Sequence, residues 1–394
     1  MSSSGKIVFI VLDSIGIGEA PDAAAYGDVG ANTLGNTAKA VGGLRLPALQ
    51  RLGLGNIAPI LGVSPVANPE ACYGKMQEVS KGKDSTTGHW EIAGLPVTKD
   101  FPYYPNGFPH EVIERFLAAT GVHGVLGNRP ASGTQIIEEL GDEHVHTGYP
   151  IVYTSGDSVL QIAAHEDVIP LEEQYRICRA ARDTVMTGEH AVGRVIARPF
   201  VGTKGKYTRT SNRKDFTLQA PGTTLLDVLY KRGVDTVSIG KIDDLFSGRG
   251  LKVKIHTHSN AEGIEEIIKQ SGAMSRGFIM TNLVDFDMLY GHRQDPKGMA
   301  GALEYFDVRL PAILETVRGE DLLIITADHG NDPTDKSTDH SREYVPLLVF
   351  SPNGKKGVNL GTRNTFADAG KTVADYFGVD DGSLAGTSFL NMIR

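Results

Sequence analysis

Six aspartate and histidine residues follow short apolar runs closely in the sequence: Asp13, Asp287, His292, Asp328, His329 and His340. His292 comes five residues after Asp287, and His340 lies in the loop before the next apolar run. Singly, each has an ordinary explanation, because an aspartate after a strand is commonly a turn residue or a helix cap, and a lone histidine is commonly structural. If the runs are neighbouring strands, however, these side chains converge on one sheet edge, where clustered carboxylates need a compensating cation. The spacing therefore predicts a metal centre.

The predicted ligand atoms are oxygen and nitrogen without sulfur, a set that suits Mn²⁺, Mg²⁺ or Zn²⁺. Six protein ligands are more than one catalytic ion normally takes, so we expect two ions. Pairs of ions about 3.5–4 Å apart recur in phosphoryl-transfer enzymes, where they hold the attacking and the leaving oxygens. The ligand set therefore predicts two-metal phosphoryl transfer.

A candidate nucleophile lies in the segment KGKDSTTGHWE, residues 81–91, where lysines, glycines and hydroxyls precede an expected helix. Such a segment can hold an anion at the start of a helix. The plainer interpretation is that Asp84 or Ser85 only caps that helix. Beside two metal ions, however, the Ser85 hydroxyl could be deprotonated and carry a phosphoryl group.

The elements that must position these residues are short buried strands, apolar without alternation and separated by helical stretches. The predicted strands are Lys6–Leu12, Thr236–Ile239, Gly277–Val284, Leu322–Thr326 and Val345–Phe350. Strand–helix alternation indicates a doubly wound α/β sheet, with ligands at the carboxyl ends of the strands. Predicted helices include Thr223–Arg232, Ala261–Gln270 and Ala300–Arg318.

The middle of the chain differs from its two ends. A Pro/Gly-rich segment, FPYYPNGFP, begins at Phe101 and interrupts the strand–helix pattern, which resumes near residues 216–221. We predict a discontinuous core domain of residues 1–100 and 220–394, with a smaller α/β cap domain of residues 101–219 inserted into it. One continuous domain with long excursions is the alternative.

Composition restricts the possible partners. The net charge of -8 gives no general attraction for nucleic acid or an anionic membrane, so any anion site must be local. No apolar stretch is long enough to span a bilayer. Only Cys72 and Cys178 occur, which excludes a disulfide framework and favours a reducing cytoplasm. We expect a cytoplasmic protein with small-molecule partners.

The whole chain resembles the phosphopentomutase family of the alkaline phosphatase superfamily. The motifs that carry the resemblance are VLDSIGIGEAPDA, GLGNI, GKDSTTGHWEIAG, NRPASGT, VGRVIARPFVG, NLVDFDMLYGHR, ITADHGNDP and TDHSREYVPLL. The resemblance implies an alkaline-phosphatase-like core with a cap. It also implies interconversion of ribose 1-phosphate and ribose 5-phosphate, and of the 2-deoxyribose pair, with two Mn²⁺ ions and a sugar bisphosphate as activator.

The resemblance also assigns roles to residues. Asp287, His292 and His340 would hold one ion and Asp13, Asp328 and His329 the other, with a phosphorylated hydroxyl between them. That hydroxyl is usually a threonine in the family, and Ser85 takes its position here. The positions that contact the sugar phosphate in the family correspond to Ser155, Asp157, Val159, Ile196, Arg209 and Lys241. Arg209 lies in a stretch, Arg194–Lys214, with seven basic residues and no acidic one.

Three other functions share parts of this pattern. A metal-dependent phosphatase or sulfatase would use the same ions but transfer phosphate to water, and would need no second phosphate clamp. A cofactor-independent phosphoglycerate mutase shares the metal scheme but differs in the segments around Asp13 and Ser85. A non-catalytic metal or phosphate sensor would be expected to lack ligands or the nucleophile. The basic stretch favours the mutase.

Overall fold

A computed structural model of the chain describes residues 5–99, 101–155 and 158–394. The chain divides into two compact units, one formed by Met1–Lys99 and Gly222–Arg394, the other by Asp100–Pro221. Each unit contains its own β-sheet with helices packed on it. Among the described residues, no helix is both long and apolar enough to cross a membrane.

The strands are numbered in chain order: β1 (Lys6–Leu12), β2 (Cys72–Met76), β3 (Leu126–Pro130), β4 (Ile151–Thr154), β5 (Val159–His165), β6 (Arg194–Val201), β7 (Thr208–Arg209), β8 (Lys214–Thr217), β9 (Thr236–Ile239), β10 (Val253–Ile255), β11 (Gly277–Leu283), β12 (Leu322–Thr326), β13 (Val345–Phe350) and β14 (Asn359–Arg363).

The α-helices are α1 (Ala23–Tyr26), α2 (Thr33–Ala40), α3 (Pro47–Leu52), α4 (Ser85–Ile92), α5 (His110–Thr120), α6 (Gly133–Thr147), α7 (Leu171–Ala180), α8 (Leu225–Lys231), α9 (Ile242–Leu245), α10 (Asn260–Ala273), α11 (Pro296–Leu314), α12 (Ala367–Phe377) and α13 (Leu390–Ile393). Short 3₁₀ or π turns occupy Leu54–Asn56, Ala181–Val185, Gly188–His190 and Phe286–Gly291.

The larger unit is built on a sheet with the strand order β10-β9-β11-β1-β12-β13-β2-β14. Strand β1 lies between β11 and β12 and is parallel to both, and β13 runs against its two neighbours. Every residue of β1, β11 and β12 is buried, as expected for strands covered on both faces. The carboxyl ends of these three strands therefore lie side by side.

The sequence predicted five of the eight strands of this sheet. Strands β1, β9, β12 and β13 have the predicted bounds, and β11 ends one residue earlier than expected. The prediction for α11 was wrong by four residues at each end, because the helix begins at Pro296 and ends at Leu314. Asp295 caps it by accepting from the Gly298 amide, and proline suits the first helical position.

The smaller unit has a mixed sheet in the order β3-β4-β5-β6-β7, with β8 also paired to β6. Its pairing sets which side chains share a face. Val159 pairs with Arg194 and Gln161 with Ile196, while Phe200 pairs with Arg209. Since side chains alternate along a strand, Val159, Arg194, Ile196 and Arg209 all lie on one face of this sheet.

A buried histidine makes the smaller unit sensitive to pH. His144 Nδ1 lies 2.7 Å from the Tyr149 carbonyl oxygen, and its Nε2 accepts from the His165 amide at 2.8 Å. Burial lowers the pKa of His144 below the ordinary histidine value of 6.5. The folded unit therefore excludes a proton that the unfolded chain binds, so its stability should fall as the pH decreases below 6.5.

We expect the unfolding midpoint of the smaller unit to decrease between about pH 7.5 and about pH 5.5, and to decrease less in a His144→Gln variant. Hydrogen exchange of the backbone amides of α6 and β5, measured across this pH range, reports the stability of the smaller unit. His146→Gln is the matched control, because His146 lies two residues further along the same helix and is exposed. Equal pH dependence in His144→Gln and the unchanged protein would contradict the prediction.

Candidate metal centre and nucleophile

Three buried carboxylates meet at the carboxyl ends of the central strands. Asp13 directly follows β1, Asp328 lies two residues after β12, and Asp287 lies in the π turn that follows β11. Each side chain is almost fully excluded from solvent. The parallel pairing of β1 with both neighbours thus brings Asp13 close to two aspartates that are hundreds of residues away from it in sequence.

Asp13, Asp328 and His329 form one group whose ligand atoms could hold a metal ion. His329 Nε2 lies 3.4 Å from Asp13 Oδ1 and 3.4 Å from Asp328 Oδ2. The other Asp328 oxygen accepts from the Ser14 amide at 3.1 Å, which fixes the carboxylate. These are the three residues that the sequence resemblance assigned to one ion.

Asp287, His329 and His340 form a second such group, so His329 belongs to both. His340 Nε2 lies 3.4 Å from Asp287 Oδ1, and His292 Nε2 lies 3.2 Å from both Asp287 Oδ2 and His340 Nε2. All six candidate ligands therefore form one continuous cluster. Contact with the Asp287 carboxylate raises the pKa of His292 to about 9.

The cluster fits divalent cations. Asp13 Oδ1 is buried and has no hydrogen-bond partner among the described residues. Burial, together with the negative charges of Asp328 and Asp287, raises the pKa of Asp13 well above its usual range. An ionised carboxylate in such surroundings needs a compensating positive charge, and oxygen and imidazole ligands suit Mn²⁺, Mg²⁺ or Zn²⁺.

Residues that the sequence did not single out orient these ligands. Asn282 Nδ2 donates to Asp13 Oδ2 at 2.8 Å, and Asn331 Nδ2 donates to Asp287 Oδ1 at 2.8 Å. His89 Nδ1 lies 2.8 Å from the Ser85 carbonyl and 3.2 Å from Asp328 Oδ2. A polar asparagine inside an otherwise apolar strand, and a histidine one turn after Ser85, were the available signals.

The Ser85 hydroxyl lies beside this cluster, with Ser85 Oγ 3.1 Å from His329 Nε2. Ser85 is the first residue of α4, and Asp84 caps that helix by accepting from the amides of Thr86 and Thr87. The capping alternative thus applies to Asp84, which leaves the Ser85 hydroxyl available. The absence of a side chain on Gly88 lets α4 approach the Asp328 backbone.

The residues expected to contact the sugar phosphate lie in both units. Val159, Ile196 and Arg209 share one face of the smaller sheet, and Ser155 follows directly after β4. Asp157 is outside the described residues.

Lys241 belongs to the larger unit, at the residue before α9. Its positive charge lowers the pKa of Asp13 and so opposes the increase that burial and the neighbouring carboxylates cause. Lys241 therefore acts electrostatically on a candidate metal ligand.

Comparison with known proteins shows the family. Residues 5–381 match the model of the Metalloenzyme superfamily. The chain is 60% identical over 389 residues to a phosphopentomutase of Dictyoglomus thermophilum, covering 99% of this chain and 98% of that protein. It is 58% identical over 388 residues to a phosphopentomutase of Acetivibrio thermocellus, covering 98% and 99%. The chain belongs to the phosphopentomutase family. The predicted family and enzyme class, an isomerase that transfers phosphoryl groups, are therefore confirmed.

Two solved structures of low sequence identity share the fold. Leishmania mexicana phosphoglycerate mutase has a TM-score of 0.52 at 11% identity, covering 98% of each chain. The PH0037 protein of Pyrococcus horikoshii has a TM-score of 0.51 at 14% identity, covering 98% of this chain and all of that one. The alkaline-phosphatase-like α/β fold predicted from the sequence is confirmed.

We expect a divalent cation to stabilise this member of the phosphopentomutase family. Adding Mn²⁺ after chelation should raise the midpoint of thermal unfolding by at least about 3 °C, because a cation relieves the charge of the buried carboxylates. The rise should be much smaller in Asp13→Asn. Asp332→Asn is the matched control, since both Asp332 oxygens accept hydrogen bonds, from Asn32, Asn36 and Thr334. Equal responses to Mn²⁺ in the two variants would be evidence against this metal centre.

Proposed function

We propose that this enzyme interconverts ribose 1-phosphate and ribose 5-phosphate, and the 2-deoxyribose pair, through a phosphoenzyme on Ser85 and a 1,5-bisphosphate. The observation that carries this proposal is the 3.1 Å contact between Ser85 Oγ and His329 Nε2, inside a family of phosphopentomutases. A hydroxyl in that position can alternate between free and phosphorylated forms.

The proposed cofactors are two divalent cations, with Mn²⁺ as the first candidate and Mg²⁺ or another divalent ion as alternatives. Asp13, Asp328 and His329 would hold one ion. Asp287, His292 and His340 would hold the other, and Ser85 would be a ligand between them. When bound, the ions would lower the pKa of the Ser85 hydroxyl and neutralise charge on the transferring phosphoryl group.

Ser85 Oγ is the atom at which phosphate is taken up and released. In the first step the P–O bond of phosphorylated Ser85 breaks while a hydroxyl oxygen of a pentose monophosphate bonds to phosphorus, giving the 1,5-bisphosphate, and the hydroxyl proton passes to Ser85 Oγ. In the second step the bisphosphate has reoriented, Ser85 Oγ bonds to its other phosphorus atom, and the P–O bond to the sugar breaks. The sugar oxygen takes up the serine proton, and the isomeric monophosphate leaves. A sugar bisphosphate would act as activator because it can phosphorylate an unmodified Ser85. Water must be excluded, since hydrolysis of the phosphoserine would stop the cycle.

The second phosphate of such an intermediate needs its own site. The face of the smaller sheet that carries Arg209 also carries Arg194 and Arg198. Burial, together with the charges of Arg213 and Arg209, lowers the pKa of Arg198, as expected where positive charges accumulate. A planar guanidinium binds phosphate through two parallel hydrogen bonds, so Arg209 is the proposed ligand of the non-reacting phosphate.

Tyr153 and the start of α6 adjoin the same arginine. Tyr153 Oη is buried and lacks a hydrogen-bond partner among the described residues. An added Cβ at Gly133, the first residue of α6, would lie 2.6 Å from Tyr153 Oη and 3.3 Å from Arg209 Nη1. A helix start, a buried hydroxyl and an arginine therefore meet in one place, a combination that favours binding of an anion.

The remaining assignments follow from this mechanism. We propose the larger unit as the catalytic core and the smaller unit as the cap, with Ser155, Asp157, Val159, Ile196 and Lys241 as further contacts of the sugar phosphate. We also propose a cytoplasmic location, since Cys72 and Cys178 are both unpaired and buried. A metal-dependent phosphatase or another phosphomutase of the superfamily is the alternative function.

Incubation with Mn²⁺, a catalytic amount of ribose 1,5-bisphosphate and ribose 1-phosphate should yield ribose 5-phosphate. Replacement of Ser85 by alanine should lower the rate below ~10⁻³ of that of the unmodified enzyme, because the group that carries phosphate is lost. Mass spectrometry of intact protein should show the added phosphate only where Ser85 is present.

Thr86→Ala is the matched control, because Thr86 carries the adjacent hydroxyl and, among the described residues, has no hydrogen bond to the histidine cluster. It should retain both the phosphoenzyme and most of the rate. Release of free phosphate without ribose 5-phosphate would point to a phosphatase instead. Full activity in Ser85→Ala would remove Ser85 from the mechanism.

An Arg209→Met variant tests the phosphate clamp. Hydrogen bonds to a charged group contribute about 1.5–3 kcal/mol, so kcat/KM for ribose 1-phosphate should fall roughly 10- to 100-fold. Steady-state kinetics should show an increased KM. Lys206→Met is the control, since Lys206 is an exposed cation three residues away. If both variants lose activity equally, general positive charge rather than Arg209 holds the phosphate.

A further inference from the structure

Arg342 is a charged side chain buried in the larger unit, only 2% exposed. Its guanidinium contacts two carboxylates: Nη1 lies 2.7 Å from Glu78 Oε2, and Nε donates to Asp22 at 3.1 Å. The guanidinium also lies over the Tyr26 ring, 4.9 Å from its centroid. Burial of an arginine is costly without such partners, so this arrangement indicates a specific role.

The same guanidinium binds the main chain that leads to Ser85. It donates to the carbonyl oxygens of Glu78 at 2.9 Å, Ser80 at 2.7 Å and Gly82 at 3.0 Å. The Tyr26 hydroxyl donates to a fourth carbonyl, that of Lys81, at 2.9 Å. Four carbonyl oxygens within five consecutive residues thus accept hydrogen bonds from the side chains of Arg342 and Tyr26.

The segment of residues 77–84 has no regular secondary structure, so its shape depends on these side-chain contacts. The amides of the same segment bind a second side chain, because the Glu91 carboxylate accepts from Val79 N at 3.0 Å and from Ser80 N at 2.7 Å. Glu91 is itself part of α4, the helix that begins at Ser85. Arg342 therefore binds the carbonyls, and Glu91 the amides, of the chain that leads to the proposed nucleophile.

Arg342 also lies two residues after His340, a candidate metal ligand. Its backbone amide donates to Asp28 Oδ2 at 2.8 Å, and Lys83 Nζ lies 3.1 Å from the same oxygen. Lys83 Nζ also lies 3.5 Å from Asp339. The segment before Ser85 and the segment around His340 are thus joined at three points: the Arg342 guanidinium, the Asp28 carboxylate and the Lys83–Asp339 ion pair.

We propose that Arg342 is a positioning residue for phosphoryl transfer, which fixes the Ser85 hydroxyl relative to the segment that carries His340. This inference rests on the proposed role of Ser85. In-line transfer requires the oxygen and phosphorus atoms to be placed within a fraction of an ångström, and a misplacement of about 1 Å can cost 10²-fold in rate.

The contacts of Arg342 exclude a role in binding substrate. Nε, Nη1 and Nη2 all donate to protein oxygens, and the side chain has almost no solvent-accessible surface. It differs in this from Arg209, which lies on an exposed strand. Lysine is a poor replacement, because a single ammonium cannot reach oxygens spread around a planar guanidinium.

The test compares Arg342→Lys with the unchanged enzyme in the ribose 1-phosphate assay. We expect kcat to fall about 10- to 100-fold, with KM changed by less than about twofold, because the substrate contacts stay while Ser85 is misplaced. Tyr26→Phe removes one carbonyl contact and should give a smaller decrease in kcat. Unchanged kcat in Arg342→Lys would overturn the proposal.

Lys6→Met separates positioning from general stability. Lys6 forms the buried ion pair with Asp321 at 2.8 Å, at the end of β1 opposite to Asp13, so its loss should lower the unfolding temperature without lowering kcat. An equal loss of kcat in Lys6→Met and Arg342→Lys, at equal loss of stability, would show that stability alone is responsible and would also overturn the proposal.

Chemical rescue tests whether the guanidinium group itself is responsible for the effect on kcat. In Arg342→Ala, added guanidinium ion should restore part of kcat, and added ammonium ion should not. Restoration by neither ion would count against the proposal. Failure of the proposed function is distinguishable, because it would appear as activity in Ser85→Ala, whereas failure of this inference leaves Ser85 essential and Arg342→Lys active.

Discussion

Mutual repulsion among Asp13, Asp287 and Asp328 is the constraint on which the rest of the site depends. The parallel pairing of β1 with β11 and β12 forces these carboxylates together, and burial removes the water that would otherwise screen them. Burial and the other two carboxylates raise the pKa of Asp13, which shows the cost of this proximity. We expect divalent cations, bound by these carboxylates and the neighbouring imidazoles, to compensate this charge.

At the start of α4, one side chain caps the helix and another provides the proposed nucleophile. A serine at a helix start normally accepts from the helix amides, and its hydroxyl is then occupied. Here Asp84 accepts from the amides of Thr86 and Thr87, so the Ser85 hydroxyl can face His329 instead. Farther along the helix, Gly88 permits contact with Asp328 and Glu91 holds the preceding segment. Residues of one short helix thus contact both the candidate metal centre and the segment that precedes Ser85.

Local pattern predicted the central strands because each is an apolar run between turn residues, and the ends of these strands then located Asp13 and Asp328. The same pattern could not reveal Arg342, since its partners Asp22 and Glu78 lie 320 and 264 positions away in sequence. It also misplaced α11, because periodicity does not report a cap such as Asp295. Contacts between residues far apart in sequence, and the caps of helices, could therefore not be predicted from local pattern.

A mutase and a phosphatase can share the same metal chemistry, so the difference must lie in what else binds the substrate. A phosphatase needs to hold one phosphate, whereas transfer through a bisphosphate requires two phosphates to be held at once. The chain carries a net charge of -8, yet Arg194, Arg198 and Arg209 share one face of the smaller sheet. Asp215 lies 3.7 Å from Arg194, and a bound phosphate would offset the remaining positive charge of this face. We therefore expect the smaller unit to determine whether the phosphoryl group is transferred to a sugar or to water.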